Sequence, residues 1–124
     1  MTMEVRMEAL SPQEMAEKAE AAGIRKAALS FTPLFALAVL AGAFVGLGAM
    51  FATTTAAATS SLPYGVARLL IGIVFCLGLI LVVVAGAELF TGNNLIVMAW
   101  ANRKISTWAL LRNWLIVYVG NFVG

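Results

Sequence analysis

The sequence predicts an all-α polytopic membrane protein with three spanning segments, the second of them broken. Three observations carry this expectation. Of 124 residues, 62% are hydrophobic and 11% charged, whereas soluble domains carry about 25% charged residues. The apolar residues gather into three long runs. The middle run, residues 69–102, lies between Arg68 and Arg103. It is longer than the ~20–25 residues of one span and shorter than the ~40 that two spans and a turn require.

The middle run is interrupted by Gly86-Ala87-Glu88-Leu89-Phe90-Thr91-Gly92-Asn93-Asn94. Glycine and asparagine tolerate left-handed backbone and together stop helices. Glu88 is the sole acidic residue after Glu20. A carboxylate at a helix centre in lipid costs ~2.5–3.5 kcal/mol on insertion scales and faces protein or water. A helix that enters the membrane, unwinds and resumes satisfies both facts. Unwound backbone at that depth lines a cavity or is buried in protein, and transporters build solute sites from it.

Before the membrane, Ser11-Pro12-Gln13-Glu14 is a cap, a first-turn proline and a capping box. It predicts a short amphipathic helix over residues 12–22, stopped by Gly23 and followed by Arg25 and Lys26. Residues 1–30 are expected to form a cytoplasmic N-terminal region and residues 31–124 the membrane domain. The short helix is either a solvated leader or a mobile element over a pore mouth.

Thr32-Pro33 predicts the start of a first span that runs to about Ala52. Ala38, Gly42, Gly46 and Ala49 give it a small-residue face of the kind that lets membrane helices approach closely. Thr53 to Ser61 is expected as an external loop. No charge lies between Lys26 and Arg68, while Arg25-Lys26 and Arg103-Lys104 flank the other ends. That asymmetry places the N-terminus in the cytoplasm.

The second segment starts near Pro63. Phe75, Leu79, Val82 and Gly86 follow a 4-3-4 spacing along one helix face. That face is either a packing surface or a dewetted constriction. After the break, helix resumes from Leu95 to Ala101, and Asn102-Arg103-Lys104 forms a turn. Ser106 or Thr107 caps the third span. Trp100, Trp108 and Trp114 are placed for an interfacial belt, with Arg112 reaching back to the same interface. The chain ends on Gly124 within an apolar run, so the third span is expected to be truncated and the chain to be part of a longer protein.

Lone Cys76 allows no intrachain disulfide. The absence of histidine leaves no plausible zinc centre or histidine-based catalysis. An enzyme and a cofactor are therefore not expected, and without a basic patch neither is a nucleic-acid partner. Glu88 is expected to turn away from any anion path and to bond to neighbouring backbone N–H groups. A membrane scaffold is the rival to a transporter, but it would have no use for the polar break.

The stretch from Gly86 to Asn93 resembles the broken-helix loop of the formate/nitrite transporters. Asn113-Trp114-Leu115-Ile116-Val117-Tyr118-Val119-Gly120-Asn121-Phe122-Val123-Gly124 resembles that family's third helix. The resemblance implies the N-terminal half of a six-helix aquaporin-like fold, in homopentamers with one pore per protomer in the inner membrane. It implies passage of small monovalent anions, with formate slightly favoured over nitrite and hydrosulfide. Phe75 and Leu79 on the first half-helix, with Leu89 and Phe90 at the break, match the pore constrictions. Thr91 matches the threonine that meets the solute. Glu88, Gly92, Asn93 and Asn94 fall in the loop whose order gates the pore. The family's pore histidine belongs to the second half, so no residue here takes its proton-transfer role. Some formate channels carry an aspartate where Glu88 stands.

Inverted-repeat transporters use two broken helices and one is present here. Residues 1–124 alone are thus expected to give no saturable formate uptake in liposomes, and uptake by this fragment would contradict the half-pore reading.

Overall fold

A computed structural model of the chain describes residues 9–124. Residues 1–8 of the expected N-terminal region lie outside it. Every regular element among the described residues is an α-helix: α1 Pro12–Ala27, α2 Phe31–Ala58, α3 Tyr64–Ala85, α4 Phe90–Asn93, α5 Ile96–Ala101 and α6 Thr107–Val123.

The capping box of α1 is complete. Ser11 Oγ accepts from the Glu14 amide and Glu14 Oε2 accepts from the Ser11 amide. The Ser11 amide, then its hydroxyl and Lys18, hold the Glu14 carboxyl below its ordinary range. This stabilisation is present above the ordinary carboxylate pKa and is lost as pH falls through the lowered value. The expected stop at Gly23 is wrong, because α1 continues to Ala27. Gly23 is instead a contact point. A Cβ there would sit 3.3 Å from Ile96 Cα of α5, so the missing side chain lets the two helices touch.

α2 has 28 residues and also overruns its expected end. Thr53, Thr54 and Thr55, expected in a loop, stay helical. Each hydroxyl donates to the carbonyl four residues back, which satisfies it without leaving the helix. The cap is Ser30 rather than Thr32. Pro33 then falls at the third helical position, where an N–H would have no intrahelical partner.

α2 is the central element and packs against both α3 and α6. Gly48 meets Gly78 of α3, where a Cβ on either would lie 3.0 Å from opposing backbone atoms. Gly42 faces the Asn121 carbonyl of α6, and Gly120 faces Ala38. The small-residue face is therefore real but shifted. Gly46 has nothing within 4 Å of its Cβ position, and Ala49 is exposed. Small buried clusters fill these crossings: Leu34, Ala38 and Val117, and Ala41, Val82 and Ala87.

α3 ends on Gly86 at φ 64°. The Gly86 amide donates to Val83 O and the Ala87 amide to Val82 O, a Schellman-type stop. The unbroken helix is 22 residues, or ~33 Å at 1.5 Å per residue. The interruption therefore comes at the end of a full-length helix rather than in its middle. α2 and α3 are long and apolar enough to cross a membrane by length and composition. Val83, Val84 and Phe122 are exposed, as residues facing lipid or further protein are.

Gly86→Ala forces an L-residue into left-handed backbone and is expected to cost ~1–2 kcal/mol. Gly46→Ala adds a methyl in open space and is expected to be neutral or to stabilise by up to ~1 kcal/mol. Denaturant titration in detergent micelles measures both.

Candidate functional site

The interruption after α3 encloses a buried polar network. Glu88 is 5% exposed and Asn93 and Asn113 are fully buried. Lys26 at the end of α1 donates to Glu88 Oε1 at 2.6 Å and to Asn93 Oδ1 at 3.3 Å. The Asn93 amide donates to Glu88 Oε2 at 2.8 Å and to Asn113 Oδ1 at 2.9 Å. Asn113 Nδ2 returns a bond to the Lys26 carbonyl at 3.1 Å. The circuit thus joins α1, the connector, α4 and α6. Among the described residues no buried side-chain nitrogen or oxygen lacks a partner, which is what such a network needs in order not to destabilise. The expectation that Glu88 bonds to backbone N–H groups is corrected: its carboxylate takes an ammonium and a side-chain amide. Lys26 reaches it because α1 runs one turn further than expected.

The non-helical backbone of the connector is satisfied from two neighbouring helices. The Glu88 amide donates to Leu37 O of α2 at 3.2 Å. The Phe90 amide donates to Asn121 Oδ1 at 2.8 Å, and Asn121 Nδ2 donates to Glu88 O and Ala38 O. Trp114 Nε1 donates to Asn93 O at 3.0 Å. Trp114 is therefore a strut within the fold, unlike the exposed Trp100 and Trp108. Arg112, expected to reach for the interface, donates to Leu29 O between α1 and α2.

Leu79, Leu89, Thr91, Gly92 and Asn93 meet at one open cavity of about 430 Å³, which Lys26 also lines. The Thr91 hydroxyl has no partner among the described residues. Thr53, Thr54, Thr55 and Thr59, by contrast, all donate to the carbonyl four back. Glu88 does not line the cavity. Phe75 lies outside it, in an apolar groove with Cys76, Leu79, Ile80, Val83 and Val84. Phe90 turns toward α6, edge-on to Trp114 and Tyr118 with centroids 6.4 and 5.5 Å away. Asn94 is exposed beside the cavity and bonds through its amide to Phe90 O.

Lys26, Asn113, Trp114 and Asn121 were missed as site residues. Charge arithmetic could have found the first, since Glu88 is the lone acid after Glu20 and a buried carboxylate needs a cation such as Lys26, Arg68 or Arg103. Two asparagines in an apolar run carry a similar signal, because buried amides in membrane helices seek partners across helices.

Comparison with known proteins places the sequence in a family. A family model described as formate/nitrite transporter matches residues 13–124. The chain is 47% identical over 115 residues to the formate channel FocA of Escherichia coli K12, covering 93% of this chain and 40% of that protein. It is 41% identical to the FocA of Haemophilus influenzae over 94% of this chain and 41% of that one. It is 44% identical to the uncharacterized transporter YrhG of Bacillus subtilis, over 91% and 43%. The chain therefore spans less than half the length of these relatives. A membrane-protein composition, a break built around Glu88 and a match over nearly its whole length make this chain a member of the formate/nitrite transporter family.

Proposed function

We propose that the protein passes a small monovalent anion, formate first among them, through a pore whose solute contact is Thr91. Nitrite and hydrosulfide carry the same charge and are the alternatives. The observation that carries this is the Thr91 hydroxyl, open and unpartnered, on a cavity whose walls are otherwise apolar except for Lys26, Gly92 and Asn93. An anion entering an apolar cavity loses hydration, and a free hydroxyl replaces part of it. Lys26 brings positive charge to the wall. Glu88, the one carboxylate nearby, is turned into the protein and paired. The awkward charge thus stays out of the anion's way.

On this reading Leu79 and Leu89 narrow the path. Phe90 acts from behind the wall, and Phe75 contributes on a face that further protein would complete. The names of the relatives, formate channels in two bacteria, support formate. The chain supplies the first half of a six-helix aquaporin-like protomer of a pentamer in the inner membrane, with its N-terminus cytoplasmic. The loop from Glu88 to Asn94, tied to α1 through Lys26, is the gating element.

Thr91→Val in the full-length protein keeps the shape and removes the donor. The barrier is expected to rise by ~1–3 kcal/mol, a flux loss of roughly tenfold or more at ~1.4 kcal/mol per decade. Leu79→Ala is expected to widen the path and lower discrimination among anions. Formate and nitrite flux into liposomes measures both, with assembly checked by gel filtration. Wild-type flux through well-assembled Thr91→Val would overturn the role given to Thr91.

A further inference from the structure

We propose that Asn121 is the positioning residue that fixes where the Thr91 hydroxyl stands, and that it thereby sets which anions are admitted. The proposal rests on the anion-passage reading above and adds a residue that does not touch the cavity.

The turn that carries Thr91 is short. α4 has four residues, and Leu89 at its N-cap has no side-chain acceptor for the free amides. The Phe90 amide, next in the chain to Thr91, is capped instead from α6 by Asn121 Oδ1, 31 residues away. The same side chain donates to Glu88 O at 2.9 Å and to Ala38 O at 2.8 Å. Three bonds into α2, the connector and α4 leave the carboxamide one orientation. They also fix the Phe90 amide relative to α2.

The other end of the turn hangs from the same helix through Trp114 Nε1 and Asn93 O. Residues 114 and 121 are two helical turns apart and share a face of α6. The turn is therefore suspended between two points of one helix, and Thr91 lies between them in the chain. Asn121 reaches all three partners because α2 and α6 cross closely at Gly42, Ala38 and Gly120. A substrate contact held within about half an ångström needs such support from the residues behind it. Asn121 is absent from the cavity wall, so its effect on anions runs through the position of Thr91.

The test uses full-length protein in liposomes with Asn121→Ala, Asn121→Ser and Thr91→Val. The readouts are the formate-to-acetate flux ratio and the hydrogen exchange of residues 88–94. Asn121→Ala is expected to speed Phe90 amide exchange by ~tenfold or more, the loss of one buried hydrogen bond. The flux ratio is expected to fall by ~threefold or more, as misplaced contacts do. Asn121→Ser keeps one donor and one acceptor and is expected to fall between wild type and Asn121→Ala. A merely structural role would lower the amount of assembled protein and leave the ratio of the remainder unchanged. A folded Asn121→Ala with a wild-type flux ratio overturns the proposal, whether or not Phe90 keeps its protection. Should that variant fail to assemble, Asn121→Ser decides by the same ratio. Failure of the reading it rests on is distinguishable: wild-type protein would then carry no formate flux, or Thr91→Val would retain wild-type flux, whatever Asn121→Ala does to exchange.

Discussion

The ion pair between Lys26 and Glu88 is the contact on which the rest depends. Interrupting a helix in an apolar setting leaves backbone and a carboxylate without water, and each unsatisfied group costs several kcal/mol. Lys26 neutralises the carboxylate, and Asn93 and Asn113 complete its hydrogen bonds. Because Lys26 ends α1, the same pair draws the N-terminal helix onto the break. Gly23 against Ile96 then completes the seat. One interaction therefore decides three things: that the break is tolerated, that α1 docks, and that no free acid faces the cavity. The Lys26 side chain is 32% exposed and that of Glu88 is 6%. The pair reaches from the open cavity into the closed interior.

Much of the fold was legible in the sequence, for reasons that lie in local chemistry. The capping box at Ser11 and Glu14, the stop at Gly86 and the cap at Ser106 each depend on neighbouring residues alone. The helix ends that came out wrong have two other causes, one distant and one local. Gly23 has the composition of a stop, yet α5 needs its missing side chain. Thr53 to Thr55 has the composition of a loop, but each hydroxyl folds back on its own helix. The turn at Arg103 shows a limit of another kind. It holds φ 57° with an ordinary side chain, where glycine would be the usual choice.

The site divides along the same line. The break announces itself through Gly86, Gly92 and the asparagine pair, whereas Thr91, Leu79 and Leu89 were singled out by the family resemblance; the three line one cavity. The supports were not visible, because Lys26, Asn113, Trp114 and Asn121 act across long separations in the chain. Lys26 had a ready explanation as a topology charge, and Trp114 as an interfacial aromatic. Those explanations concealed a partner in each case. Phe90 shows the converse: chain position puts it at the break, but its ring packs on Trp114 and Tyr118 behind the wall.

The most direct measurement of the central claim is a double-mutant cycle on Lys26 and Glu88, read by unfolding free energy in micelles. Lys26→Met strands a nearly buried carboxylate and is expected to cost ~3 kcal/mol. Combining it with Glu88→Gln removes the stranded charge, so the double variant is expected to recover at least ~1 kcal/mol of the summed single effects. Single effects that add to within ~0.3 kcal/mol would show two energetically independent residues and contradict the account.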